Sequence, residues 1–387
     1  MENNTSERFT SATSKKSIVS LVQCSTYSYE HVVKAIKNSM QNIGGLERFI
    51  TPGTKVHIKP NLLSAKEPDK AVTTHPTVVR AVVDIVHKLG GEVTIGDSPA
   101  GISRPIEEYW EKTGIMEVAQ QTAAELVRFE KKTVIERIIN GNSYFIAKAI
   151  SEVDVIINLC KMKTHSLTLF TGAIKNMFGI VPGVRKGEFH KEAPKVKEFS
   201  EILVDIFETV KPQVNIMDAV VAMEGNGPSS GTPKHVGFII ASTDAVALDS
   251  VAASLMGFNS GEILTTQIAH SRGLGQHDLD NIEFCGIDIN ELERQDFQLP
   301  SNRFIQFIPE FLMKLMGQLI WIRPKAIAQK CERCGLCIKN CPVNAMTAKD
   351  GVPEIDYNQC IKCFCCDEIC PHNAIDQQIS WLAKKIG

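Results

Sequence analysis

Eight cysteines near the end of the chain stand in two runs that share one spacing. The first run, C-x2-C-x2-C-x3-C-P, contains Cys331, Cys334, Cys337 and Cys341. The second run repeats that spacing with Cys360, Cys363, Cys366 and Cys370. Three thiolates on a tight loop can wrap one face of an iron–sulfur cubane, while the fourth, displaced by the turn before proline, reaches a second cubane. The pattern therefore predicts two [4Fe–4S] clusters, which move single electrons.

The spacing also predicts how the ligands divide between the clusters. Cluster one is expected to bind Cys331, Cys334, Cys337 and Cys370. Cluster two is expected to bind Cys360, Cys363, Cys366 and Cys341. Zinc also binds C-x2-C pairs, but two complete copies that both end in Cys-Pro favour iron–sulfur clusters. Cys365 has no place in the spacing, and we interpret it as a packing residue or a spare thiol, since a ligand exchange with Cys366 would break the pattern.

A local excess of positive charge lies earlier in the chain, between residues 161 and 191. Six basic residues stand there with a single acid, Glu188, although the whole chain has a net charge of −2. The basic residues are Lys161, Lys163, Lys175, Arg185, Lys186 and Lys191. Glycines in the same stretch let N–H groups approach a ligand, and such groups together with lysines form anion sites. We predict a pocket for a ligand that bears a carboxylate or phosphate; the alternative is a basic loop that faces water.

Four side chains are candidates for catalysis. Lys175 lies in the otherwise apolar segment AIKNMFGIV, and a desolvated lysine of lowered pKa suits acid–base or covalent chemistry. His165 and His190 would orient the ligand or donate protons beside it. Glu224, in the glycine-rich segment MEGNGP, would serve as an acid–base group or bind a cation, and an ordinary tight turn is the alternative there.

These residues need a scaffold, and the pattern from Ser17 to about Asp288 predicts one of the α/β class. Short apolar runs rich in β-branched residues alternate with segments of helical spacing, such as Pro76–Leu89, which Gly90 and Gly91 follow. Strands that alternate with helices indicate a mixed, largely parallel sheet with helices on both faces. A small α+β domain of the two-cluster ferredoxin type would follow this sheet.

Polar residues gather where the predicted strands end. In open α/β sheets, ligands bind beyond the carboxyl ends of the strands. Taken singly, each such residue is more simply a solvated loop residue, and only the shared position groups them into one site. The predicted ligand-binding residues are Lys59, Asn61, Asp97, Lys163, Asn176 and Asp218.

The predicted organisation has five parts. They are a disordered tail (1–16), an α/β ligand-binding domain (17–290), a linker with an amphipathic helix (291–328), the two-cluster domain (329–376) and a C-terminal tail (377–387). The first residues lack the apolar core of a secretory signal, which predicts a cytoplasmic protein. The net charge of −2 argues against a nucleic acid as partner.

The segment from Phe304 to Ile322 is the most apolar part of the linker. Polar residues recur at every fourth position in it, which predicts a helix with one narrow polar stripe. Its charges argue against a membrane-spanning helix. It is interpreted either as a helix buried against the core, or as one that docks on a membrane surface or a partner protein.

Several motifs, in order, resemble one known family. VHIKPNLL, TTHP, GDSP, KMKTH, TGAIKN-x-x-G, MEGNGP and the DAVALD segment are similar to the family called domain of unknown function 362. Members of that family often carry a C-terminal two-cluster ferredoxin, and the resemblance implies a cytoplasmic iron–sulfur protein. The order Lys175, Pro182-Gly183, His190 also resembles the lactate racemase family. In that family the lysine holds a nickel pincer nucleotide covalently and the histidine binds the nickel.

Functions of different classes agree with these observations. In the first, the chain is an oxidoreductase whose clusters exchange electrons with an anionic small molecule at the strand ends. In the second, it is an electron carrier without chemistry of its own, which docks on a partner through residues 304–322. A racemase-like enzyme that binds a cofactor is a further hypothesis. No dinucleotide fingerprint or P-loop follows a predicted strand, so electrons are expected to come from a partner ferredoxin or flavoprotein.

Overall fold

The structure is a computed structural model that describes residues 16–101, 104–130, 133–183, 185–287, 296–300, 303, 319 and 321–386. The predicted N-terminal tail lies outside these residues except for Lys16. The predicted linker helix lies outside them except for Leu319, Trp321 and Ile322. No helix within the described ranges combines the length and the apolar character that crossing a membrane requires.

A mixed, largely parallel sheet of nine strands forms the α/β domain, as the sequence predicts. The strands that precede the cysteine runs are β1 (Ser17–Gln23), β2 (Lys55–Pro60), β3 (Glu92–Ile95), β4 (Glu125–Leu126), β5 (Val134–Ile139), β6 (Asn142–Ala147), β7 (Val155–His165), β8 (Leu169–Thr171), β9 (Val214–Glu224), β10 (Thr232–Ser242) and β11 (Ile282–Gly286). The order in the sheet is β11-β1-β10-β9-β7-β2-β3-β4, with β8 paired to β7, while β5 and β6 form a separate hairpin. The pairings from β9 through β7, β2 and β3 to β4 are parallel, so the carboxyl ends of these strands lie at one edge.

Helices cover both faces of this sheet. They are α1 (Tyr29–Asn42), α2 (Pro76–Lys88), α3 (Ile106–Lys112), α4 (Ile115–Thr122), α5 (Ala173–Asn176), α6 (Arg185–Glu192), α7 (Val196–Thr209), α8 (Ala245–Leu255) and α9 (Leu264–Ser271). The apolar residues of α1, α2 and α4 belong to one core, and those of α5, α7 and α8 belong to another. The central strand β7 is buried along its whole length, as expected of a strand that is covered on both faces.

The central strands run further than the sequence predicts. β7 continues through Lys161, Lys163 and His165, and β9 continues through Asp218 to Glu224, so these residues lie within strands and not in loops that follow them. The far part of β7 stays extended because β8 folds back and pairs with it. Alternation along β7 places Lys161, Lys163 and His165 on one face.

The described residues 321–386 form a smaller unit, here called the cluster domain. Its elements are β12 (Ile322–Ala326), α10 (Leu336–Lys339), β13 (Met346–Lys349), β14 (Val352–Ile355), α11 (Cys365–Glu368), β15 (Ile375–Ile379) and α12 (Trp381–Ile386). β12 pairs with β15 and β13 pairs with β14, both antiparallel. β12 thus lies in the segment predicted as linker, and β15 extends into the segment predicted as tail, because each of these strands supplies the backbone partners of the other.

Candidate functional site

A cavity of about 400 Å³ lies between the α/β domain and the cluster domain. From the α/β domain it collects six of the residues that the sequence predicts for the site, namely Asn61, Asp97, Lys163, Lys175, Asn176 and His190. The cluster domain contributes Lys339, Asn340, Cys341, Pro342, Cys365, Glu368 and Ile369. The volume is in the range of small-molecule pockets, so this cavity is the candidate functional site.

Polar contacts hold the two domains together beside the cavity. They join Lys66 to Asn373, Ser230 to Asp367, Ser166 to Gln377 and His165 to Glu368. All four partners in the cluster domain come from the second cysteine run or from the segment that directly follows it. The cavity is therefore built by both domains, and the second cysteine run faces the α/β domain.

The short helix α5 carries Lys175 to the cavity. The N–H groups of Ala173 and Ile174 donate to the two carboxylate oxygens of Asp249, at 2.5 and 2.9 Å. Asp249, on α8, therefore caps α5 and satisfies donors that a helix N-terminus leaves free. Gly172 precedes the helix because a Cβ there would lie only 2.1 Å from Asp249 Oδ1.

Replacing Gly172 by Ala should lower the free energy of unfolding by about 1–3 kcal/mol, the usual range for overpacking a filled site. The added methyl group would lie 2.1 Å from Asp249 Oδ1 and 2.5 Å from the Phe170 ring, so the cap must move. Urea denaturation of the cluster-containing protein measures the change. Gly187→Ala is the matched control, because the nearest atom to its added Cβ is 3.8 Å away, in Pro342. An equal loss of stability in both variants would contradict this explanation.

Lys175 faces the cavity with its donors unused. Among the described residues, no hydrogen-bond acceptor or carboxylate lies within bonding distance of its Nζ, and the side chain lines the cavity wall. Burial lowers the pKa of Lys175, while the carboxylate of Glu368 and the thiol of Cys365 oppose that shift. An ammonium group has three N–H donors, so Lys175 can offer all of them to a ligand.

Glu368, on α11, is the carboxylate around which three predicted catalytic residues gather. Burial by itself would raise its pKa, but the charge of Lys175 and the nearby His165 and His190 bring that pKa well below its usual range. His165 Nδ1 accepts two backbone N–H groups, at 2.9 and 3.2 Å, so the neutral ring carries its proton on Nε2. That nitrogen lies 3.1 Å from Glu368 Oε1. Burial lowers the pKa of both histidines to about 4, so both rings are neutral at pH 7.

Two further polar atoms on the cavity wall have no hydrogen-bond partner among the residues that the structure describes. His190 stacks on Phe199 with ring centroids 4.1 Å apart, and its Nδ1 is buried without a hydrogen bond. Thr171 Oγ1 is likewise buried without a hydrogen bond, and both residues line the cavity. Because buried polar atoms are normally hydrogen-bonded, their concentration here indicates a site for a polar ligand. Within the described part of the chain, no three His, Cys, Asp or Glu side chains are close enough together to bind a single metal ion.

A row of asparagine side chains supports the second lysine of the cavity. Lys163 Nζ donates to Asn61 Oδ1 at 2.9 Å and to a backbone carbonyl at 2.7 Å. Asn61 donates to Asn176, which donates to Asn158. Burial lowers the pKa of Lys163 far below its ordinary value, and the charge of Lys175 adds to that effect. Because these acceptors are neutral, an anion in the cavity would favour the charged form of Lys163.

Asp97, a predicted ligand-binding residue, already bonds to groups of the protein. Its Oδ1 lies 2.8 Å from Lys59 Nζ, and its Oδ2 accepts the N–H of Leu62 at 2.8 Å. Gly179 packs directly on this ion pair, since a Cβ there would lie 1.9 Å from Asp97 Oδ1. Lys186, also on the cavity wall, donates to two backbone carbonyls, and burial lowers its pKa to about 8.

The structure does not bring Asp218 and Glu224 into the cavity wall. Asp218 is buried, lies 2.8 Å from Lys161 Nζ and accepts a tyrosine hydroxyl at 2.8 Å. Glu224 accepts a backbone N–H at 2.9 Å and lies 3.3 Å from Lys234 Nζ. Both carboxylates therefore have partners within the protein, away from the residues around Lys175.

The two cysteine runs repeat each other in conformation as well as in sequence. Each run has residues of positive φ at the second and fourth positions after its first cysteine. They are Arg333 (+54°), Gly335 (+71°), Lys362 (+59°) and Phe364 (+61°). The Sγ atoms of Cys341 and Cys370 each accept a backbone N–H at 3.3 Å. Hydrogen bonds to cluster sulfurs are one means by which proteins set cluster potentials, so both loops are suited to hold a cubane.

Thiols from both cysteine runs lie near one another in the cluster domain. A small cavity is lined by Cys331, Cys334, Cys337 and Cys370, the predicted ligands of cluster one. Burial raises the pKa of Cys337 to about 11, and the three neighbouring thiols contribute to that rise. Burial raises the pKa of Cys360, with smaller contributions from Cys363 and from Cys341 of the other run. Buried thiols that gather in this way fit a cluster, since bound iron keeps the sulfurs in the thiolate form.

The two cluster sites differ in their surroundings. Cys341, a predicted ligand of cluster two, lines the main cavity, and so does Cys365, which precedes the ligand Cys366. Cys334, a predicted ligand of cluster one, is exposed to solvent. One cluster site therefore reaches the surface, and the other adjoins the cavity.

Comparisons with known proteins identify both domains. The family model described as "Domain of unknown function (DUF362)" matches residues 56–254. The thylakoid-associated protein sll1697 of Synechocystis is 34% identical over 258 residues, which cover 66% of this chain and 79% of that protein. The chain belongs to the DUF362 family. A model described as "4Fe-4S dicluster domain" matches residues 323–371, so this DUF362 protein binds two [4Fe–4S] clusters, as its cysteine spacing predicts.

Two solved structures share part of the fold. The lactate racemase apoprotein from Thermoanaerobacterium thermosaccharolyticum is 16% identical with a TM-score of 0.40, and the match covers 59% of this chain and 54% of that one. A Thermotoga maritima protein solved by a structural genomics consortium is 14% identical with a TM-score of 0.39, and the match covers 60% of each chain. The DUF362 protein thus spans less than two thirds of either structure. Likenesses at this level support no inference about its activity.

The sequence did not single out three residues of the site. Glu368 lies between the cluster ligands Cys366 and Cys370, and an acid inside a cysteine run was the signal that could have drawn attention to it. Lys186 was noticed only as one member of the basic stretch, and Cys365 only as a thiol without a role. The cavity brings all three together with the predicted residues.

Proposed function

We propose that this DUF362 protein is an oxidoreductase that exchanges electrons between cluster two and a small organic anion bound in the cavity between its domains. The observation that supports this most is the position of Lys175. This lysine has no bonding partner among the described residues, and it lines the same cavity as Cys341 and Cys365 of the second cluster site. A ligand that binds Lys175 would therefore lie beside that cluster.

The charges of the cavity favour an anion. Lys163, Lys175 and Lys186 line its wall, and the hydrogen-bond acceptors of Lys163 and Lys186 are neutral oxygen atoms. Burial lowers the pKa of all three lysines, and a bound anion would stabilise their charged forms. Phe178 and Ile369 add apolar surface, which suits the carbon skeleton of an organic acid.

The side chains of the cavity would take different parts in binding. Lys175 would contact the anionic group, because its donors are free. His190 Nδ1 and Thr171 Oγ1, which have no hydrogen-bond partner within the described ranges, would complete the hydrogen bonds of the ligand. His165 is absent from the cavity wall and would act through Glu368.

A redox partner, a ferredoxin or a flavoprotein, would exchange electrons with cluster one. The exposed thiol of Cys334 supports this, since it brings that cluster site to the surface. Because each cysteine run supplies ligands to both clusters, the two clusters are neighbours, and an electron on cluster one would pass next to cluster two. From there the electron would reach the cavity, whose wall includes Cys341.

Lys175→Met tests this proposal. Protein reduced photochemically without oxygen, then freed of reductant, is mixed with pyruvate or fumarate, and cluster oxidation is followed by absorbance. Each of these acids takes up two electrons, one from each cluster, and two protons from water. The wild type should oxidise faster with at least one acid than in buffer alone. In the variant, the acid-dependent rate should be about 10- to 100-fold lower than in the wild type. The reason is that a hydrogen bond to a charged group contributes about 1.5–3 kcal/mol.

Lys191→Met is the matched control. Lys191 also lines the cavity but is exposed, so its charge is screened by water and the rate should change little. Iron content and the electron paramagnetic resonance spectrum should match the wild type in both variants. An unchanged rate in Lys175→Met would remove Lys175 from the site. If no acid speeds oxidation of the wild type, the carrier function is favoured instead.

The second candidate function is that of an electron carrier without chemistry of its own. The exposed Cys334 agrees with it, because a cluster site that reaches the surface can exchange electrons directly with a partner protein. The relative from Synechocystis is named a thylakoid-associated protein. For this chain we propose a cytoplasmic location with peripheral membrane or partner contact through residues 304–322.

A further inference from the structure

We infer that Lys163 and Thr171 together bind the oxygen of a carbonyl group in the cavity, and that Lys163 gives this oxygen a proton. The substrate is then an acid whose reducible group is a carbonyl, and Lys163 is a catalytic residue. The inference deepens the proposed function and rests on it for the flow of electrons from the clusters to the acid.

Strand pairing places the two side chains next to each other. Lys163 on β7 lies directly opposite Thr171 on β8 in an antiparallel pair. Residues paired in this way have their side chains on the same face of the sheet, with Cβ atoms about 4.5–5.5 Å apart. Both residues are buried, and both line the cavity. They therefore form one polar point on the cavity wall.

The hydroxyl of Thr171 indicates an oxygen atom of the ligand. Its Oγ1 is buried and has no hydrogen-bond partner within the described part of the chain. Proteins rarely leave a buried hydroxyl unpaired, and this one can donate a hydrogen bond. The chain continues from β8 into α5, which carries Lys175. One short stretch of chain thus presents to the cavity both the hydroxyl and the lysine proposed to bind the anionic group.

Lys163 has one N–H donor that the described residues leave unused. Its Nζ donates to Asn61 Oδ1 at 2.9 Å and to the carbonyl of Val72 at 2.7 Å. An ammonium group has three N–H donors, so one remains for a ligand in the cavity. The neutral amine has two hydrogens, and the same two contacts hold it after the third proton has left. Lys163 can therefore give up a proton without losing its place.

A row of buried amides fixes the direction of these contacts. Asn158 donates to the carbonyl of Ala173 at 3.0 Å, and since a carbonyl only accepts, Asn158 presents its oxygen to Asn176. Asn176 in turn accepts from Asn61, whose own oxygen is left to accept from Lys163. Turning the amine of Lys163 away would leave a buried amide oxygen unpaired, which is costly.

The charges around Lys163 suit a proton donor. Burial lowers its pKa, and the charges of Lys175 and Lys161 add to that effect, while Glu368 and Asp97 oppose it. The carboxylate of a bound acid brings further negative charge, which favours the ammonium form while the substrate is present. A lysine of lowered pKa gives up its proton more readily than an ordinary one, as general acid catalysis requires.

The reaction that this arrangement serves is the reduction of a carbonyl to an alcohol. Two electrons enter the carbonyl, one from each cluster, and the π bond between carbon and oxygen breaks. An N–H bond of Lys163 breaks as an O–H bond forms on the carbonyl oxygen, and the neutral amine regains its proton from water. A second proton, from water, goes to the carbon. The reducible double bond of fumarate joins two carbon atoms, so it offers neither side chain an oxygen.

A comparison of two acids and one variant tests the inference. Reduced protein is mixed with pyruvate or with fumarate, which both carry a carboxylate for Lys175. Pyruvate should speed cluster oxidation, and fumarate should not. In Lys163→Met, the rate at saturating pyruvate should fall about 100-fold or more, because a general acid contributes about 10²- to 10⁴-fold. The pyruvate concentration that gives half of the maximal rate should change less than in Lys175→Met.

Thr171→Val is a second variant, and it keeps the shape of the side chain. The hydroxyl has no hydrogen-bond partner among the described residues, so stability to urea should be unchanged. The half-saturating pyruvate concentration should rise about 3- to 10-fold, the effect of one hydrogen bond. Thr164→Val is the matched control on the other face of β7, where the hydroxyl donates to the carbonyl of Met223 at 3.4 Å. It should lower stability and leave the response to pyruvate in place.

The possible results separate this inference from the proposed function. Oxidation by pyruvate and not by fumarate, with a lower maximal rate in Lys163→Met, supports the inference. If fumarate acts as fast as pyruvate, or if Lys163→Met keeps its maximal rate, the inference is wrong and the proposed function stands. If Lys163→Met does not assemble its clusters, an unchanged half-saturating concentration in Thr171→Val overturns the inference, and a raised one supports it. If neither acid speeds oxidation of the wild type, both fail.

Discussion

Replacing Asp97 by Ala should lower the free energy of unfolding by about 3–5 kcal/mol, the cost of leaving a buried charge without its partner. Lys59 is fully buried, and its Nζ lies 2.8 Å from Asp97 Oδ1. The variant also deprives the N–H of Leu62 of its acceptor. Urea denaturation of the cluster-containing protein at pH 7 measures the loss.

The loss of stability in Asp97→Ala should depend on pH, and the pKa of Lys59 determines the direction of that dependence. Burial lowers the pKa of Lys59, and Asp97 opposes that shift, so the Ala variant should have a still lower pKa in the folded state. The unfolded chain then binds more protons than the folded one. Stability of Asp97→Ala should therefore rise as pH increases from the folded pKa of Lys59 toward its unfolded value. A loss that stays constant with pH would contradict the assignment to this lysine.

The double variant Lys59→Met with Asp97→Asn is the control for the same site. It removes both charges, and the amide oxygen of Asn can still accept the N–H of Leu62. Replacing both members of a buried ion pair by neutral groups is often nearly neutral, so most of the stability should return. If the double variant is as unstable as Asp97→Ala, the ion pair is not the cause.

The features that could be predicted from the sequence are those that local spacing determines. The cysteine runs carry their spacing within a dozen residues each, and the predicted set Cys331, Cys334, Cys337 and Cys370 lines one small cavity. The alternation of strands and helices is likewise local, and it correctly predicts the mixed sheet with helices on both faces. In both cases the pattern and the structure that it forms lie on the same stretch of chain.

The environments of the buried lysines could not be predicted in that way. From the sequence, Lys161 is predicted to be a loop residue that follows a strand. Its partner Asp218 lies on a neighbouring strand, far along the chain. Lys59 lies on β2, and its partner Asp97 lies just after the end of the neighbouring strand β3. Only the register of the sheet brings these charges together, and register depends on tertiary pairing.

Glu368 shows the same limit across a domain boundary. Nothing in its surrounding residues, CCDEICP, points to Lys175 or His165, which lie in a different domain. Their proximity follows from how the domains dock, through contacts such as those of Asp367 with Ser230. The cavity is thus a property of the interface, and each domain alone carries only a part of its wall.

Replacing Cys366 by Ala should reduce the iron content from about eight to about four atoms per chain, since one of two [4Fe–4S] clusters loses a ligand. Cys365→Ala is the matched control on the adjacent residue. Cys365 has no place in the ligand spacing, although it lines the cavity, and its loss should leave about eight iron atoms. Iron and sulfide analysis of protein purified without oxygen measures both. If Cys365→Ala loses about half of the iron and Cys366→Ala does not, then Cys365 is the cluster ligand and the assignment from the spacing is wrong.

The same pair of variants also tests the order of the two clusters. In Cys366→Ala, cluster one remains near the exposed Cys334 and should still accept electrons from a reductant in solution. Its oxidation should no longer respond to an organic acid, because the lost cluster is the one that adjoins the cavity through Cys341. Acid-dependent oxidation that survives the loss of cluster two would place the ligand beside cluster one. Such a result would separate the cavity around Lys175 from the electron path, and the lysine would then bind an anion for some purpose other than reduction.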